Sequence, residues 1–95
     1  MEKQYHIIRG DRSGVFFGEI ADRNGREVTI HNCRRLWYWD GAASLSQLAL
    51  EGVTNPGGCK FTVTVPELVV LDAIELIPCT AAAASSVLGV KEWRR

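Results

Sequence analysis

The sequence predicts an α+β domain: a small, strongly bent antiparallel sheet or open barrel of five to six strands, with one or two short helices. Three observations predict it. Short runs rich in β-branched and aromatic residues alternate between apolar and polar positions along most of the chain. Asn24-Gly25, set between two such runs, is the strongest short hairpin signal available. Ser44 with Gln47 makes an S-x-x-Q capping box at the head of a leucine-spaced segment. The chain has 95 residues and no internal repeat or linker, so positions 1–95 form a single domain.

Taken in order, Tyr5 to Arg9 is a first strand, stopped by the turn formers of "GDRSG". Val15–Ala21 and Arg26–His31 form a hairpin, with Asn24 and Gly25 at the centre of a type I′ turn. Val28 and Ile30 take one face of the second arm, Thr29 and His31 the other. Arg35 to Trp39 remains strand-like until Asp40-Gly41 breaks it. Ser44 then caps a two-turn helix whose Leu45, Leu48 and Ala49 share a face, and Gly52 ends it. After the "TNPGG" loop, Lys60 to Val65 alternates, with Phe61, Val63 and Val65 inward. Pro66-Glu67 punctuates. Leu68–Leu71 and Ala73–Ile77 are further strands, and Pro78 closes the second. Thr80 caps a helix over Ala81–Leu88, ended by Gly89, and "VKEWRR" is a last strand or a free end. Strands this short leave sheet edges to manage, which predicts a homo-oligomer.

Composition narrows the function classes. Eleven basic and eleven acidic residues give zero formal charge, so bulk attraction to nucleic acid or to a membrane surface is not expected. No apolar run approaches the ~20 residues of a membrane span. Cys33, Cys59 and Cys79 are odd in number and form no C-x-x-C pair, which predicts reduced thiols and a cytoplasmic setting. Cysteine, histidine and carboxylates never reach metal-ligand spacing, and no cofactor is expected. His6 and His31 each sit in an alternating strand, and Ser44 and Ser46 lack the G-x-S-x-G context of a nucleophile. A binding protein is expected, not an enzyme.

The stretch "CRRLWYWDGAASLSQLALEG" carries the functional expectation. Indole faces stack on flat rings, an adjacent arginine pairs with phosphate, and the helix opening at Ser44 offers backbone N–H groups to the same anion. Alternation sets Arg35, Trp37 and Trp39 on one face and Leu36 with Tyr38 on the other. Two readings remain open: Arg34, Arg35, Trp37, Trp39 and Ser44 form a ligand surface, or the tryptophans fill the core beside the helix and the arginines are solvated. In "RGDRSGVFFG", Arg9 and Arg12 flank glycines that form either an anion nest or a hairpin loop. A P-loop is excluded because Val15 stands where lysine is required. Trp93, set among basic residues in "KEWRR", is a lid over the ligand, an anchor to a neighbouring subunit, or a frayed end.

"YHIIRGDRSGVF", "RRLWYWDGAASLSQLA" and "DAIELIPCT" together resemble a family of small uncharacterised proteins of tailed phages and prophages. The resemblance runs from Tyr5 to about Trp93 and carries no activity or catalytic residue. It implies an accessory protein acting in the cytoplasm of the infected bacterial host. In that setting the residues lead to an oligomeric sponge that sequesters a small anionic, nucleotide-like host immune signal without cleaving it. The alternatives are an inhibitor that binds a host defence protein, of anti-CRISPR or anti-restriction type, and a structural phage protein.

Overall fold

The computed structural model describes residues 3–95; Met1 and Glu2 lie outside it. Six strands and two helices run in the order β1 (His6–Gly10), β2 (Val15–Asn24), β3 (Glu27–Tyr38), α1 (Leu45–Glu51), β4 (Lys60–Phe61), β5 (Val65–Val70), β6 (Ala73–Pro78) and α2 (Ala81–Leu88), with a 3₁₀ turn at Pro56–Gly58 before β4. All strand pairings are antiparallel. The sheet order is β4-β3-β2-β1-β6, and β5 pairs with β3 beside β4. β3 therefore runs through the middle of the sheet, flanked by β2 on one edge and by β5 and then β4 on the other. The sheet is open and unclosed, so the expected α+β architecture is present.

β-bulges bend it. The ladder gains a residue on β3 where the pair Phe17–Arg34 gives way to Glu19–His31, and Asn32 there takes φ 52°. Gly18 faces this bulge; a Cβ on it would lie 2.5 Å from Ile30 Cγ2 and 2.9 Å from the His31 carbonyl oxygen. A second bulge falls in β3 at Trp37, between the pairs Leu36–Phe61 and Tyr38–Lys60. The hairpin turn also differs from expectation. Asn24 pairs with Glu27, so Gly25 (φ 62°) and Arg26 are the central residues, and positive φ is confined to Gly25. Glycine first is the pattern of a type II′ turn, one residue along from the expected type I′.

The bent sheet separates two cores. Ile7, Phe17, Leu36 and Phe61 pack under the helices against Leu48, Ala49, Ala83 and Val87. Ile8, Phe16, Val28, Ile30, Cys33 and Val70 form a second core, to which no helix contributes. Both helices begin as their caps dictate. Ser44 Oγ accepts from Gln47 N at 3.1 Å, while Gln47 Oε1 accepts from Ala43 N at 2.7 Å. Thr80 Oγ1 accepts from Ala83 N at 3.0 Å, and the hydroxyl donates to the Leu50 carbonyl at 2.7 Å, tying the end of α1 to the start of α2.

Two expected strands are redrawn. Lys60 to Val65 is strand only at Lys60–Phe61, and Val65–Val70 forms one strand straight through Pro66 and Glu67. Proline is tolerated there because β5 is an edge strand with one side free of ladder hydrogen bonds. The tail adds an isolated parallel bridge from Phe61 to Glu92 in place of a full strand. No helix among the described residues is long and apolar enough to cross a membrane.

Candidate functional site

The loop joining β1 to β2 is folded around a carboxylate. Asp72, in the turn between β5 and β6, accepts from the Arg12 and Ser13 N–H groups at 2.8 and 3.1 Å and from the Ser13 hydroxyl. Its own carbonyl accepts from Asp11 N at 2.8 Å. The Ser13 hydroxyl and the Arg12 amide hold the Asp72 carboxyl below its ordinary pKa. The "GDRSG" loop is thus an anion nest, and the chain's own Asp72 fills it. Arg9 points elsewhere and pairs with Glu75 across the β1–β6 ladder at 3.6 Å.

Beside this latch opens a cavity of about 660 Å³. Phe16, Leu68, Val70 and Leu71 line it, Arg12 and Arg35 supply its cations, and the latched Asp72 adds a carboxylate to the lining. The Arg35 guanidinium carbon lies 4.5 Å from the Phe16 ring centroid, and Arg35 Nη1 donates to the Ser13 carbonyl. Among the described residues no carboxylate comes within ion-pair distance of the Arg12 or Arg35 side chain.

Adjacent Arg34 has the opposite fate. It is 3% exposed on the helix side of β3. Its guanidinium donates to the Thr62, Val87 and Phe61 carbonyls at 3.0, 2.7 and 3.3 Å. Burial lowers its pKa, which the charge of Glu92 partly opposes. A cation on a carbonyl in the last turn of α2 also complements the helix dipole. Arg34 is a structural clamp: three of its five donors go to backbone carbonyls, and the side chain is buried.

The tryptophans separate as well. Trp37 is 59% exposed and stacks on Trp93, with ring centroids 5.2 Å apart and planes at 21°. Lys60 Nζ lies over both rings, at 5.1 and 5.5 Å. Trp39 is half-buried against the helical core beside Ala42, Leu45 and Val53. Trp37 and Trp39 therefore do not share a face, contrary to simple alternation. The bulge at Trp37 adds a residue, so Leu36 and Trp39, three apart, both reach the helical core, while Trp37 and Tyr38 are left outside. Ser44 spends its hydroxyl on Gln47, and the seven-residue α1 is too short to offer an anion site.

Of the predicted site residues, the cleft thus gathers Arg12 and Arg35, and Trp37 and Trp93 form a platform with Lys60. Arg34, Trp39, Ser44 and Arg9 stand apart from both. Phe16, Leu68, Lys60 and Asp72 belong to these features, and sequence reasoning missed them. Phe16 and Leu68 read as ordinary strand residues. Among the described residues, no group of three or more His, Cys, Asp or Glu side chains is placed to hold a metal ion. Burial pushes the Cys33 and Cys79 thiols up to about 11, against the charge of Arg35 in the first case.

No curated protein and no solved structure matches the chain significantly. The profile of a family described as a domain of unknown function (DUF6948) matches residues 3–87, a span that takes in the whole cleft and the platform apart from Trp93, and the chain belongs to that family.

Proposed function

We propose that the protein is a binding module that holds a small, partly flat anion of nucleotide type in the Arg12–Arg35 cleft and does not cleave it. One observation carries the reading: Arg35 lies on Phe16 at the edge of a cavity, with no carboxylate in ion-pair distance among the described residues and the cavity's Asp72 bonded to the Arg12–Ser13 loop. A guanidinium so placed offers charge-assisted donors to a phosphate, and Leu68, Val70 and Leu71 offer apolar contact to a ring. The volume lies within the roughly 300–1,000 Å³ of small-molecule sites. Sequestration suits the site better than catalysis. The Ser13 hydroxyl is tied to Asp72, and a carboxylate with a depressed pKa is a weak general base. In this reading the protein is a homo-oligomeric accessory protein of a phage, withdrawing a host immune signal in the bacterial cytoplasm.

The test is a thermal-shift and calorimetric screen with mono-, di- and cyclic nucleotides. A ligand at 100-fold its Kd adds about 2.7 kcal/mol, several degrees for a domain of this size. Arg35→Ala should abolish the shift while the protein stays folded. The absence of any shift across the panel would remove the proposal. A second reading, an inhibitor that docks on a host defence protein, is favoured by the exposure of Trp37 and Tyr38, residue types that dominate interface hot spots. It predicts partner capture that is lost with Trp37→Ala and indifferent to Arg35→Ala.

A further inference from the structure

Arg35 and Trp37 lie two residues apart on β3, about 6–7 Å along the strand. Alternation gives them the same face, the one turned away from the helices that Arg34 and Leu36 meet. The bulge keeps Tyr38 on that outer side as well. The cleft and the aromatic platform are therefore neighbours on one face, with the Arg35 guanidinium at the junction. Lys60, over both indoles, adds a second cation at the far end.

We infer that the two features are subsites of one elongated site, and that the ligand class is a dinucleotide: two flat ring systems joined through phosphate. This rests on the nucleotide reading above. One ring enters the cleft against Leu68 and Leu71, the linking phosphate meets Arg35, and the second ring stacks on Trp37, with Lys60 facing a second phosphate. The spacing supports it. A mononucleotide whose phosphate meets Arg35 fills the cleft and makes no use of Trp37, which is 59% exposed, whereas a second ring can stack there. Trp93, stacked on Trp37 and tied down by its backbone N–H donating to the Phe61 carbonyl at 2.8 Å, fixes the indole in place before any ligand arrives.

The experiment titrates the protein with AMP, GMP, the linear dinucleotides pApA and pGpG, and cyclic di-AMP and cyclic di-GMP, reading heat and tryptophan fluorescence. At least one dinucleotide should bind about 10-fold or more tighter than its mononucleotide and quench the indole emission, as one added base stack predicts. Trp37→Ala should bring the ratio near one. Arg35→Ala should weaken both ligand sizes alike. Trp37→Phe, which keeps a stacking face, should restore most of the ratio and shows whether loss in the alanine variant is a folding defect. Equal binding of both sizes, or a ratio that survives Trp37→Ala, overturns the two-subsite inference and leaves the cleft standing. Failure of every nucleotide to bind overturns the nucleotide reading, and this inference with it.

Discussion

Arg34 Nη1 donates to the carbonyl oxygen of Val87 at 2.7 Å, so the central strand and the last turn of α2 are joined through a buried cation. The next residue, Arg35, projects to the other face and bonds the loop at Ser13. Two consecutive arginines thus hold one strand between a helix and a cleft. Arg34→Ala removes three hydrogen bonds to backbone carbonyls, and we expect a loss of about 2–4 kcal/mol in chemical denaturation. Arg35→Ala is expected to cost about 1 kcal/mol or less and to be felt in binding instead. Equal losses for the two variants would refute the division of labour.

The tryptophans divide in the same manner. Trp39→Ala opens space beside Leu45 and Val53 and should cost about 2–3 kcal/mol, less than a fully buried indole. Trp37→Ala gives up one aromatic stack, about 0.5–1.5 kcal/mol. Urea midpoints for the pair, compared at a common m-value, check the order.

Asp72 makes acid stability depend on the loop latch. Its folded pKa is depressed below 3.8, so its contribution is present above that value and fades as pH falls through the lower folded value. The stability gap between wild type and Asp72→Asn should be largest at neutral pH and close below pH 3.8, as followed by melting across acid buffers. A gap independent of pH would show that the carboxylate charge is irrelevant to the latch.

The three thiols are free and buried. With Cys33 and Cys79 titrating near 11, a thiol reagent at neutral pH should modify the native protein slowly and count three groups once denaturant is added. Rapid native labelling at Cys33 would contradict its burial in the second core.

What the sequence made legible was set by local rules. Thr80 caps α2 and Ser44 caps α1 because hydroxyl-to-backbone bonding is decided within four residues. The Val28 and Ile30 face was readable from period two. Legibility failed at the bulges. Asn32 in a left-handed conformation and the extra residue at Trp37 each shift parity, and neither is marked in the sequence beyond the tolerance of asparagine for positive φ. The first sets Arg34 and Leu36 on the helix side, opposite the Val28 and Ile30 face, and the second takes Trp39 off the face it is expected to share with Trp37. Asp72 was hidden for another reason: its partners lie near residue 12 in the chain, and no local pattern reports such a contact.

The β1–β6 ladder sets Arg9 opposite Glu75 and Ile7 opposite Ile77, closing most of the chain into one loop. The β2–β3 hairpin closes through two residues, so it can form early, while the β1–β6 pairing must wait until the entropy of that long loop is offset. Contacts formed late are weak in the folding transition state. Substitutions along Ala73–Pro78 should therefore hasten unfolding and leave the refolding rate nearly unchanged. The lifetime of the native molecule, and of anything it holds, is thus governed by the strand that joins the sheet last.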